Sequence, residues 1–192
     1  MAIKNPLRYP GAKSKLVPYI QNLIQSENLT GCTFYEAYGG SAAVSFGLLE
    51  NNIVNRVKIN ELDPLIYNFW LCVMQHTDEL IQMINDTDIT IENWIEFSRY
   101  RDTNYLFGKT SVQIGFAGLF LNRTNFSGIL NASPLGGKLQ SSPYKIDCRF
   151  NKTRIIESIR ELSQFSDRID LFNMDALDFL YQETRYKRNR SI

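Results

Sequence analysis

The 192 residues fit one domain with room for an insertion, and a hydrophobic fraction of 44% is enough to form a genuine core. The formal net charge of +1 points neither toward nucleic acid nor away from it, so any polyanion contact must come from a local basic patch. Cys32, Cys72 and Cys148 are far apart with no C-x-x-C pair, which argues against a zinc site or a disulfide framework. With no signal-peptide core and no apolar run of membrane-spanning length, a soluble, cytoplasmic protein is expected.

In chain order, residues 8–13 read as a turn, followed by a short helix over 16–24. A β-prone strand is expected at 33–36, bounded by Gly31 and by Gly39-Gly40. Small residues from Ser41 open a helix to about Glu50, residues 56–60 read as a second strand, and Pro64 starts the next helix. Two β-then-α units in succession argue for a parallel sheet of the doubly wound kind. The middle of the chain changes character. Helical patterns cover 91–101 and 111–121, and residues 122–144, rich in Gly, Pro, Ser and Asn, form a long loop or hairpin of the sort that carries function. A helix over 152–162, a strand over 169–173 and a helix from Ala176 resume the α/β pattern. Three stretches are therefore expected: an α/β part over 1–75, a mostly helical insert over 76–150, and a return to the α/β part over 151–192. Late basic patches comprise Lys145, Arg149, Lys152, Arg154 and Arg160, then Arg185, Lys187, Arg188 and Arg190. A solvated helix face and a frayed tail would have the same composition.

Strand, glycine turn, helix, then an acid after the next strand is an arrangement that binds a nucleoside. The glycines admit the ligand to the backbone, and the acid accepts hydrogen bonds from ribose hydroxyls. Here the first strand ends at Glu36, the turn is Tyr38-Gly39-Gly40-Ser41, and the acid is Glu61. The turn is not G-x-G-x-x-G, which disfavours a dinucleotide. A tight strand-to-helix turn that binds nothing would use the same residues.

The whole set of motifs resembles the Dam-like (D12 class) DNA adenine-N6 methyltransferases. Residues 8–16 (RYPGAKSKL) look like the family's N-terminal Y-x-G-x-K segment, and 34–44 (FYEAYGGSAAV) are similar to its E-P-F-x-G-x-G motif. Residues 60–70 resemble N-D-x-(N/D)-P-x-L, 121–128 (LNRTNFSG) resemble L-N-R-x-x-F-N-G, and 173–179 resemble the acidic stretch before the catalytic motif. The resemblance implies an α/β fold with a Rossmann-like S-adenosylmethionine-dependent methyltransferase sheet and a helical DNA-recognition insert. It places Tyr9 and Lys13 at the methionine end of the cofactor, Glu36 and Gly40 along the turn, Glu61 on the ribose and Asp175 near the adenine. Ala37 stands where the family has Pro, and Glu61 where it has Asp. For Asp175 the alternative is a helix N-cap, and for Lys13 a solvated turn lysine.

The resemblance also implies double-stranded DNA as partner. An enzyme that modifies a base must flip it out and fill the gap. Arg123 would meet a phosphate and Phe126 would wedge into the stack, unless this segment is a packed turn with Phe126 in the core. Ser127 and Asn131 stand where the family has Asn and Arg, which leaves the recognised sequence open. The family's catalytic (D/N)-P-P-(Y/F) tetrapeptide is missing, because no two of the six prolines are adjacent. The sheet is therefore expected to be incomplete and the chain inactive alone. It would be a truncated enzyme, one chain of a split enzyme whose second polypeptide carries the motif, or a non-catalytic cofactor- or DNA-binding module.

Overall fold

The structure is a computed structural model that describes residues 4–8, 11 and 13–188, with side chains of the last helix described to residue 183. Tyr9 and Arg190 lie outside the described residues, as do the side chains of Arg185, Lys187 and Arg188.

Among the described residues, β1 (Thr33–Glu36), β2 (Arg56–Asn60) and β3 (Ile169–Phe172) form one parallel sheet in the order β1-β2-β3. Thr33 stands opposite Arg56, and Val57 opposite Ile169. The strands lie where the sequence predicts them, with β3 one residue shorter. β2 is flanked on both sides, and its Val57 and Ile59 are buried. β1 is half-buried along its whole length, and its outer edge pairs with no strand among the described residues.

Helices cover both faces of the sheet. α8 (Ala176–Arg188) lies on one face: fully buried Phe179 packs on Phe172 with ring centroids 5.1 Å apart and on Tyr35 at 6.2 Å. Lys58 on the same face pairs with Glu183 at 2.7 Å. Alternate strand residues, Val57, Ile59 and Ile169, point into the main core with α2 (Ala43–Glu50) and α3 (Pro64–Gln75). α3 starts at Pro64 because Asp63 caps it, accepting the N–H groups of Leu65 and Ile66, while the proline's missing N–H costs nothing at the first helical position. α1 (Val17–Ser26) packs on α2, so closely that a Cβ at Gly47 would stand 2.8 Å from Val17.

Between α3 and β3 run α4 (Thr77–Asp86), α5 (Ile91–Ser98), α6 (Ser111–Thr124) and α7 (Lys152–Ser163). α4 is not expected from the sequence pattern; it buries Leu80, Ile81 and Ile84 and carries Asp78 and Glu79 in its first turn, where acids offset the helix dipole. The helix expected over 91–101 ends at Ser98 and tightens into a 3-10 turn. α6 opens with a capping box between Thr110 and Gln113 and runs three residues beyond the expected end. It presses its glycine face on α3: a Cβ at Gly115 or Gly118 would stand 2.6 Å from the carbonyl oxygens of Asn68 and Leu65. Segment 76–150 thus shares one core with the α/β part. No helix among the described residues is long and apolar enough to cross a membrane.

Candidate functional site

A cavity of about 280 Å³ opens at the C-terminal ends of the three strands, lined by Gly11, Lys13, Glu36, residues 37–41, Asn60, Glu61, Leu62 and Asp175. Asn60, the last residue of β2, organises it. Its buried amide donates to the carbonyls of Ala37 (3.1 Å) and Met174 (3.0 Å) and accepts the Met174 N–H (3.1 Å), which ties the ends of all three strands together. Asn173 adds bonds to the carbonyls of Glu61 (2.7 Å) and Leu62 (3.0 Å). The turn after β1 is pressed on the same point: Gly39 donates to the Asn60 carbonyl at 2.7 Å, and a Cβ on Gly39 would meet Ile59 at 2.7 Å. Gly40 has φ +49 and is held from behind by the buried Trp70 indole, which donates to its carbonyl at 2.8 Å.

Glu61 closes the cavity. Oε2 accepts the Gly40 N–H at 2.6 Å and Oε1 accepts the Asp63 N–H at 2.9 Å. Burial raises its pKa above the ordinary carboxylate value, partly offset by hydrogen bonds from Asp63 and Gly40. Glu36 turns the other way. Its Oε2 accepts both the backbone N–H (3.1 Å) and the hydroxyl of Ser45, in the first turn of α2. Burial raises its pKa as well, against these bonds and the charge of Lys13. Asp175 caps α8 by accepting the Leu177 N–H at 2.8 Å, as the structural alternative for that residue requires, and still lines the cavity. Lys13 is exposed at the rim. Tyr38 and Leu62, 75% and 64% exposed, add an apolar lip that the sequence analysis does not single out.

A second cavity, about 630 Å³, lies at the root of the hairpin and is lined by Arg8, Phe126, Ser127, Pro134, Tyr144 and Arg149, among others. Phe126 is 65% exposed and so stands outside the core. Ser127 beside it is exposed at φ +55, and Asn131 is exposed further along the hairpin. The hairpin is shaped by Asn125, buried in full: its amide donates to the carbonyls of Ile129 (3.0 Å) and Leu130 (2.7 Å) and accepts the Trp94 indole N–H (2.7 Å). Arg123 is half-buried. Burial, joined by the cations of Arg8 and Arg149, pulls its pKa down to about 10. Arg8 lines this cavity, although in the sequence it stands only as the residue before Tyr9.

Lys13, Glu36, Gly40, Glu61 and Asp175 thus converge on one cavity. Phe126 and Ser127 line the other, Arg123 is coupled to that cavity's two arginines, and Asn131 is not among its lining residues. No curated protein matches the chain. Residues 9–186 match the family described as D12 class N6 adenine-specific DNA methyltransferase. That match spans nearly the whole chain, and the chain belongs to this family of DNA methyltransferases.

Proposed function

We propose that this chain is the cofactor- and DNA-binding portion of a site-specific DNA adenine-N6 methyltransferase with a Rossmann-like sheet, using S-adenosylmethionine. The reading assigns cofactor binding to residues 1–75, DNA recognition to 76–150, and the remaining α/β elements to 151–192. The observation that carries it is the Gly40–Glu61 hydrogen bond at the carboxyl ends of parallel strands, where α/β sheets bind ligands.

The residues present fit the cofactor. Gly39 has no space for a side chain, so the turn packs directly on the end of β2 and lines the cavity there. Each Glu61 oxygen accepts one N–H and keeps a lone pair for a ribose hydroxyl. Tyr38 and Leu62 offer apolar surface for the adenine ring beside Asp175, and Lys13, with Tyr9, serves the methionine end with its carboxylate. When bound, S-adenosylmethionine supplies the sulfonium methyl group. On the DNA side, exposed Phe126 fills the gap left by a flipped base, Arg123 takes phosphate, and Ser127 and Asn131 face the strand.

Transfer itself needs an acceptor for the N6 protons beside a stacked base, and none of these 192 residues forms the family's tetrapeptide. A second reading is favoured by the outer edge of β1, which pairs with no strand among the described residues, together with exposed Leu16 just before α1 and exposed Tyr19 and Leu23 on it. Further strands, on this polypeptide or a partner, complete the sheet and bring that motif. Calorimetry with S-adenosylhomocysteine tests the cofactor assignment. The parent should give a binding signal that Glu61→Ala removes, and equal binding by both would end the ribose assignment. With labelled S-adenosylmethionine and duplex DNA, these 192 residues alone should transfer no methyl group.

A further inference from the structure

We propose that Arg8, Arg123 and Arg149 form one anion site that receives a single backbone phosphate of a DNA strand at the root of the hairpin. Arg8 and Arg149 line the 630 Å³ cavity, and Arg123 lies close enough for both cations to act on it. Like charges gathered this way repel, and none of the three takes part in an ion pair among the described residues. Asp147, on the same 3-10 turn as Arg149, is exposed and is not among the charges acting on Arg123. Two donors, Arg8 Nη1 and Arg123 Nε, are buried with no acceptor among the described residues. Buried guanidinium nitrogens rarely go unsatisfied, and an oxyanion would supply the acceptor oxygens.

The site is also held rigid. The Arg8 N–H donates to Asn122 Oδ1 at 2.7 Å, and the fully buried Asn122 amide returns bonds to the carbonyls of Arg8 and Gly128, both at 2.9 Å. A Cβ on Gly128, where φ is +76, would stand 2.0 Å from the Arg8 carbonyl oxygen. The N-terminal strap and the hairpin root are therefore locked together before any ligand arrives. Phe126 and Tyr144, 65% and 66% exposed, add flat apolar walls beside the arginines, which suits a nucleotide better than a free carboxylate. The choice of a nucleic-acid phosphate over other oxyanions rests on the DNA methyltransferase reading above.

The test uses the full chain and a fluorescent duplex oligonucleotide, with binding measured across a salt series. Arg149→Gln, on an exposed turn, and Arg8→Gln should each weaken binding roughly tenfold or more and reduce the salt slope by about one. A second arm uses inorganic phosphate at constant ionic strength: it should raise the parent's melting temperature and not that of Arg149→Gln. Unchanged S-adenosylhomocysteine binding by the variants shows that they are folded. If the parent binds duplex and both variants match its affinity and salt slope, the arginine site is overturned while the DNA reading stands. If phosphate binds through Arg149 but no duplex binds, the assignment to a DNA phosphate is overturned.

Discussion

The Glu61 carboxylate accepts the Gly40 N–H at 2.6 Å and so joins the turn after β1 to the loop after β2. Its second oxygen holds the Asp63 N–H just before α3. Glu61→Ala leaves both donors without partners, at a cost of about 1–3 kcal/mol per buried donor. Thermal melting should show this loss, and Glu61→Gln, which keeps one acceptor oxygen, should fall between Ala and the parent.

Ala42 sits at the N-cap of α2 with φ +50 and no side-chain acceptor, and Glu36 supplies the missing cap from the end of β1 through Ser45. Glu36→Ala should therefore destabilise by about 1–2 kcal/mol, the loss typical of a removed cap. Denaturant unfolding checks it. A loss near zero would mean that water replaces the carboxylate.

Burial raises the pKa of Glu36 and Glu61 above the ordinary value of 4.5. The folded chain thus binds these protons more tightly than the unfolded one. Their contribution to stability is full below about pH 4.5 and is lost as pH rises through the raised values. Glu36→Gln removes one such group, so its melting temperature relative to the parent should improve over the pH window that opens above about 4.5. With Glu61 in the proposed ribose role, cofactor affinity should run the opposite way, because an ionised carboxylate is the better acceptor for hydroxyls. Calorimetry with S-adenosylhomocysteine should show tighter binding as pH rises through this window, and a flat profile for Glu61→Gln.

Mutation separates the helix cap that Asp175 forms from the cofactor role proposed for it. Asn also caps helices, so Asp175→Asn should leave stability within a few tenths of a kcal/mol, whereas Asp175→Ala should lose about 1 kcal/mol. If Asp175 also serves the cofactor, the Asn variant binds S-adenosylhomocysteine more weakly despite its intact fold. Equal binding would leave the residue as a cap alone.

Gly128→Ala forces a methyl group into the Arg8 carbonyl, 2.0 Å away, at a backbone angle that favours glycine. The strap or the hairpin root has to move. Duplex binding should fall at least as far as in Arg8→Gln, while binding of S-adenosylhomocysteine falls less. Anisotropy and calorimetry on the same preparation distinguish the two effects.

The strands, and the turn and acid that line the cavity at their carboxyl ends, were legible because each rests on local signals. Thr33–Glu36 is β-prone between glycines, and Asp63-Pro64 is a helix start whose chemistry is written in two residues. Asn60, Asn122 and Asn125 were not legible as organising residues. Their partners are carbonyls brought near by the fold, some more than 100 positions away, as with Asn122 and Arg8. α4 escaped notice because only Leu80, Ile81, Met83 and Ile84 of its ten residues are apolar. The arginine cluster is hidden for a different reason: Arg8, Arg123 and Arg149 come from three distant segments, and no window of sequence shows them as a group.

The N-terminal strap touches both cavities. Asn5 donates to the Ser41 carbonyl at 2.5 Å beside the glycine turn, Arg8 is bonded to Asn122 at the hairpin root, and Lys13 returns to the rim of the first cavity. Two cavities joined by one strap bias each other through it, and such coupling is reciprocal. Whatever factor S-adenosylhomocysteine adds to DNA affinity, DNA must add to S-adenosylhomocysteine affinity. Shortening Asn5 to Ala would reduce that factor in both directions at once, with neither cavity losing a lining residue.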